Sequence, residues 1–159
     1  MSGVKPFDLP GVDWSGGAVE SVLKYVREAT LPGIRGLYDS GGAAYRPIAS
    51  LFYADRVRMV PYEANSLVEY MADLRKHART MKAVGAAVVV GSDAGVLVVL
   101  EHRDLAQGLM WWASLHPAEG GVVRLGEWEQ RPGHGAGTGP WSVLPRPWHV
   151  LAGPGGGPS

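Results

Sequence analysis

Two ionisable side chains are conspicuous for their apolar company. In the run from Gly95 to Asp104, strand alternation puts Val96, Val98, Leu100 and His102 on one face. That face is apolar until His102, which reads as a titratable group at the mouth or wall of a hydrophobic cavity. In the run from Val122 to Gln130, Val123, Leu125, Glu127 and Glu129 share a face. If Val123 and Leu125 look inward, so does Glu127. A carboxylate in apolar surroundings has a raised pKa and can act as general acid or base near neutrality. An imidazole and a carboxylate in one cavity could shuttle a proton without metal or nucleotide. Each residue also has an ordinary reading. His102 could be a hydrogen-bonded core histidine, and Glu127 could pair with an arginine or sit at a sheet rim.

Alternation sorts the neighbouring residues. Trp111 and Trp112 point to opposite faces. Trp112, with Met110 and Ser114, is read as lining the pocket with Val98, Leu100 and Leu125. Trp111, with Leu109 and Ala113, then falls on the outer face and suggests a homodimer interface, unless the C-terminal tail covers it. Arg58 shares the face of Val60 and can enter the pocket. His77, His134 and His149 lack metal-ligand spacing, and no Gly-rich segment follows a strand and opens a helix. The expectation is chemistry without cofactor or metal.

The bulk numbers set bounds. The 159 residues suit one domain with a sizeable core. Fifteen basic and fifteen acidic residues give zero formal charge, which argues against nucleic acid as a partner. There is no cysteine, so disulfides, thiolate nucleophiles and Cys-held zinc are excluded. The N-terminus lacks a signal-peptide core, and the longest apolar run is interrupted at Gly91-Ser92-Asp93, too short on either side to span a bilayer. A soluble, cytoplasmic protein without membrane contact is expected.

The elements that would position these residues follow from periodicity. Val19, Val22, Leu23 and Val26 mark a helix over about 16–30, which Pro32-Gly33 should stop. Residues 31–46 read as a loop or a broken second helix. Ile48, Leu51 and Phe52 recur at helical spacing and suggest a short helix over 47–54, entered at Pro47. A strand over 56–62 follows, then a helix over 66–78 opened by Ser66 and Glu69 at capping-box spacing. Two strands flank Gly91-Ser92-Asp93-Ala94, and two more flank Pro117-Ala118-Glu119-Gly120-Gly121. The sum is α+β, with three helices on one face of a curved antiparallel sheet. Residues 131–159 are rich in Gly and Pro and read as a tail on a domain of residues 1–130, although Trp141, Val143, Leu144, Trp148, Val150 and Leu151 could dock it.

This order of elements resembles the nuclear transport factor 2-like superfamily, which includes ketosteroid isomerase, limonene epoxide hydrolase and the SnoaL-like polyketide cyclases. The residues carrying the resemblance are Leu51-Phe52-Tyr53-Ala54-Asp55 before the first strand, Glu119-Gly120-Gly121-Val122 before the last, and Glu127-Trp128 on it. It covers residues 16–130. It implies a cone-shaped, cystatin-like fold, an apolar pocket between helices and sheet, and often a dimer through the outer sheet face. It also implies a role for Tyr25, since the isomerase places an oxyanion hydrogen-bond donor on its first helix there. The sequence departs from the isomerase at two positions: Val60 stands where its general-base Asp would be, and Trp112 near its second acid. The epoxide hydrolase Asp–Arg–Asp set is not visible. A last-strand acid with a nearby His is closer to the SnoaL-like cyclases.

The leading reading is a cofactor-independent acid-base enzyme of cyclase or isomerase type, acting on a hydrophobic small molecule of bacterial secondary metabolism. His102, Glu127 and Tyr25 would be its catalytic residues, and Arg58, Val60, Val98, Leu100, Trp112 and Leu125 would line its pocket. The alternative is a non-catalytic small-molecule-binding or dimerisation module of the same fold. A third, an epoxide hydrolase or ether-ring cyclase, needs another inward acid beside Glu127.

Overall fold

The segment Ile48–Phe52 is a strand, not a helix. Its spacing of Ile48, Leu51 and Phe52 fits a helical stripe, but four of its five residues are buried. A strand covered on both faces reads as a continuous apolar run and loses its alternation. The computed structural model describes residues 7–8, 14, 16–39, 48–61, 66–105, 107–117, 123–135 and 143–144. Within these, the strands are β1 Phe7–Asp8, β2 Ile48–Phe52, β3 Val57–Pro61, β4 Gly85–Gly91, β5 Gly95–His102, β6 Gln107–Pro117, β7 Val123–Leu125 and β8 Glu129–Gly135.

The first helix, α1, runs on past Pro32. It is α-helical over Val19–Tyr25, π-helical over Val26–Thr30 and α-helical again over Leu31–Asp39. Pro has no N–H and its ring clashes with the carbonyl four residues back in a regular helix. The wide turn avoids that conflict, and the Leu31 N–H bonds the Val26 carbonyl five residues back. It also re-phases the stripe. Val22, Tyr25 and Val26 are followed by Leu31, Ile34 and Tyr38, and all six are buried in one core. The helix expected to stop at Pro32-Gly33 therefore absorbs residues 31–39 of the segment read as a loop or a broken second helix. The second helix, α2, is Leu67–Met81. As expected, the Ser66 hydroxyl caps it by accepting the Glu69 N–H at 3.1 Å.

All strand pairs are antiparallel and follow the order β1-β3-β2-β4-β5-β6-β7, with β8 also on β6. The fold is α+β with a curved, unclosed sheet. Tyr53 to Arg56 turns β2 into β3, closed by the Tyr53 N–H on the Arg56 carbonyl at 3.0 Å. Ser92 to Gly95 closes β4–β5, where the Ser92 N–H meets the Gly95 carbonyl at 2.9 Å. The turn expected at Pro117 to Gly121, and the Glu119 to Val122 motif, lie outside the described residues save Pro117.

The two helices pack on opposite faces of the sheet, which corrects the expectation of three helices on one face. Phe52, Val57, Ala87, Val89, Val96, Val98, Leu100, Trp111 and Ala113 meet α1 in one core. Ala49, Leu51, Val60, Ala86 and Val88 meet α2 in the other, where the Tyr70 hydroxyl donates to the Val60 carbonyl. Adjacent residues such as Leu51 and Phe52 thus serve different cores.

Two devices tie α1 and its lead-in to the sheet. Arg35 donates to the carbonyls of Leu125 at 3.1 Å and Gly126 at 2.6 Å. The Trp14 indole donates to the Tyr53 carbonyl at 3.1 Å and stacks on Phe52 with ring centres 5.5 Å apart. At the same end Gly85 leaves room for His102. A Cβ there would lie 3.2 Å from His102 Cδ2 and 3.1 Å from the Glu101 carbonyl. Gly85→Ala is expected to cost about 1–2 kcal/mol by overpacking, measured by urea unfolding; an unchanged midpoint would mean the ring gives way freely.

Candidate functional site

His102 lies where alternation puts it, on the α1 face with Val96, Val98 and Leu100, and it is 1 % exposed. Both of its ring nitrogens are already engaged. Nε2 lies 2.6 Å from the Gly17 carbonyl, which can only accept, so Nε2 carries the proton. Nδ1 accepts the Asp104 N–H at 3.0 Å. The Asp104 carboxylate is 3.9 Å from the same Nδ1. The shorter backbone bond decides the role of that nitrogen, so this contact is not an ion pair. A ring with a carbonyl on one nitrogen and an amide on the other has no lone pair free for a substrate proton. It pins the glycine lead-in of α1 to the end of β5.

Glu127 lies elsewhere and is exposed. β7 ends at Leu125, which faces Leu115, and β8 begins at Glu129, which faces Trp112. Three residues, Gly126 to Trp128, therefore stand opposite the two residues Ala113 and Ser114. The extra residue is a bulge-like insertion that reverses the parity, so the inward face of Leu125 does not continue to Glu127. The two groups are also far apart. Leu100 faces Leu109, so His102 is level with Gln107, while Glu127 is level with Ala113 and Ser114. Six or seven residues at about 3.3 Å each separate them by roughly 20 Å. The expected His102–Glu127 cavity is not formed.

Tyr25 is buried on the α1 face, edge-on to Trp14 and Phe52, with ring centres 6.2 and 5.5 Å away. Burial pushes its phenol pKa up, and a hydrogen bond with the Ser50 hydroxyl pulls it partly back. Ser50 also donates to the Met59 sulfur at 3.3 Å. Tyr38 and Tyr53 are likewise pushed up by burial. A phenol that loses its proton less readily folded than unfolded stabilises the fold below pH about 10, and that stability is lost as pH rises from there through the folded pKa. Alkaline titration followed by circular dichroism should therefore show stability falling above pH about 10, with phenolate absorbance rising together with unfolding. Phenolate forming fully before unfolding would contradict the burial of these rings.

The other expected pocket residues do not line one cavity. Val98, Leu100 and Leu125 are in the α1 core, whereas Val60 is in the α2 core. Arg58 shares the Val60 face, as expected, and bonds Asp8 from β1 at 2.9 Å. Trp111 and Trp112 are reversed. Trp111 is 3 % exposed in the α1 core, with Ala113 beside it. Trp112 lies half-buried on the other face, donates to the Ser114 hydroxyl at 3.2 Å and carries Arg131 6.0 Å above its ring. When both faces of a strand are apolar, alternation separates neighbours without saying which core each joins.

A polar cluster at the β2–β3 turn was not signalled by periodicity. Asp8 Oδ1 receives Arg58 Nε at 2.9 Å and faces Arg56 Nε at 3.5 Å. Asp8 holds the Arg58 guanidinium protonated beyond its ordinary range. Both guanidiniums lie over the Tyr53 ring, at 4.7 and 6.0 Å. The buried Tyr53 hydroxyl has no hydrogen-bond partner among the described residues. Glu101 is a second residue that periodicity does not mark. It is 4 % exposed and accepts the backbone N–H groups of Val143 at 2.5 Å and Leu144 at 3.2 Å.

Comparison with family models, with curated proteins and with solved structures finds no match. Among the described residues, no group of three or more His, Asp or Glu side chains is placed to hold a metal ion, and no helix is long and apolar enough to cross a membrane.

Proposed function

We propose that this chain is a non-catalytic binding module. The observation that carries the proposal is His102: its ring is spent on two backbone groups, and the carboxylate expected beside it is roughly 20 Å away along the sheet. The nuclear transport factor 2-like resemblance is supported by the order helix, hairpin, helix, meander. The placement of α1 and α2 on opposite faces speaks for a different layering. A homodimer remains part of the proposal, but the buried Trp111 does not carry it. Native mass spectrometry and sedimentation test the reading together. A retained ligand or a dimer at micromolar concentration supports it, and a bare monomer in both counts against it.

One observation favours the acid-base reading instead. Tyr25 presents a buried hydroxyl, coupled to Ser50, at the position where the resemblance implies an oxyanion donor. That reading would make Tyr25 the essential donor in a hydrophobic site, with neither His102 nor Glu127 as its partner. Turnover of a hydrophobic carbonyl substrate that is lost in Tyr25→Phe would establish it over the binding module.

A further inference from the structure

We propose that His102 and Asp104 form an acid-operated switch in the turn between β5 and β6: the neutral ring accepts the Asp104 N–H, and the protonated ring instead donates to the Asp104 carboxylate. This goes beyond the binding-module reading and does not depend on it. Nε2 keeps its proton on the Gly17 carbonyl at 2.6 Å, so Nδ1 is the ring atom that a second proton must reach. In the neutral state that nitrogen accepts the Asp104 N–H at 3.0 Å. A solvent proton takes the Nδ1 lone pair by displacing that N–H. Below pH about 6.5, where an imidazole ordinarily gains its second proton, Nδ1 becomes a donor. Two donors then face each other, and the backbone bond is lost.

The surroundings decide which partner moves. The ring is buried and held on its other side. Its Cδ2 lies beside Gly85, where an added Cβ would come within 3.2 Å, and Phe52 flanks the same position. The Gly17 bond survives protonation and gains strength, because a charged donor makes a stronger hydrogen bond than a neutral one. The turn is fixed on either side of Asp104. The Arg103 N–H meets the Val84 carbonyl at 3.0 Å, and the Leu105 N–H meets the His102 carbonyl at 2.9 Å. Between them the Asp104 side chain is 63 % exposed, with its Oδ2 3.9 Å from Nδ1. An approach of about 1 Å makes that contact a charge-assisted bond. Among the described residues, no other charged group pairs with the ring. Gly17, Phe52 and Gly85 face it without charge, Glu101 bonds Val143 and Leu144 on the opposite face of β5, and Arg103 is exposed. The acid state therefore withdraws one negative charge from the surface of this turn and leaves Arg103 there.

Amide hydrogen exchange and NMR of the ring nitrogens, on the full chain between about pH 7.5 and about pH 5, test the switch. After correction for intrinsic rates, exchange of the Asp104 N–H should accelerate about tenfold or more as pH falls. Its midpoint should coincide with the change at the His102 ring nitrogens, and the amides of α1 should keep their protection. In Asp104→Ala the backbone N–H remains, while the carboxylate that would receive the ring proton is gone. The amide at position 104 should then stay protected at about pH 5. Circular dichroism establishes that this variant is folded, and Asp104→Ser is the substitute if it is not. A ring that stays neutral at the acid limit, or a charged ring with the Asp104 amide still protected, would overturn the switch. So would an equal response in the variant, or protection lost in α1 and α2 together.

Discussion

Trp111→Ala is expected to lower stability by about 3–5 kcal/mol, the usual cost of deleting a buried aromatic, while Trp112→Ala costs roughly 1 kcal/mol from partial burial. The two residues are adjacent and chemically identical, so only their surroundings differ. Trp111 faces Val98 across the sheet and sits in the α1 core with Ala113, Val96 and Leu125. Its removal leaves a cavity that a sheet fixed by pairing on both sides of β6 cannot close. Trp112 faces Leu97 and lies against Gly95, where a Cβ would come within 2.5 Å of the indole. Its ring is half-buried, so much of the lost contact is replaced by water. Urea unfolding of both variants measures the difference. Equal losses would mean that the two faces of β6 have been assigned wrongly. If Trp111→Ala does not fold, Trp111→Phe should still cost more than Trp112→Phe.

Glu101→Ala is expected to cost about 2–4 kcal/mol, since hydrogen bonds to a charged group are worth about 1.5–3 kcal/mol each and two buried donors lose their acceptor. Those donors are the consecutive N–H groups of Val143 and Leu144, whose side chains close the α2 core beside Leu51, Val88 and Met71. Both N–H groups bond one carboxylate oxygen, Oε1, which Glu101→Gln keeps as an acceptor, so that change should cost much less than Glu101→Ala. Limited proteolysis provides the second readout: cleavage at Val143–Leu144 should accelerate in Glu101→Ala well before global unfolding. Unchanged cleavage with unchanged stability would show that Val143 and Leu144 are held by their side chains alone.

How much was legible depended on whether local pattern and tertiary burial agreed. α2 is plain in the sequence because its stripe, its Ser66 cap and its polar outer face coincide. The β4–β5 hairpin is plain because Gly91 to Gly95 separates two apolar runs. The reading fails where two-sided burial removes alternation, as in Ile48–Phe52 and at Trp111-Trp112. It fails at Pro32, because a local π turn carries the helix past a residue that ordinarily ends or kinks it. At the candidate site, the face of His102 was readable and its engagement was not, since its partners at Gly17 and Asp104 are backbone groups. Glu127 was lost to one extra residue between β7 and β8. The Asp8–Arg56–Arg58 cluster joins residues some fifty positions apart, and no local period could announce it.

That one sheet serves two cores has a consequence for how the protein comes apart. β2 contributes Leu51 to one core and Phe52 to the other, and β4 does the same with Val88 and Val89. Peeling either helix away strips one side from strands whose other side is still packed, so neither half can melt and leave its neighbour intact. Heat should thus produce one calorimetric transition, with calorimetric and van't Hoff enthalpies equal. Damage on the α1 side should be felt as early by a probe over α2 as by one beside the lesion.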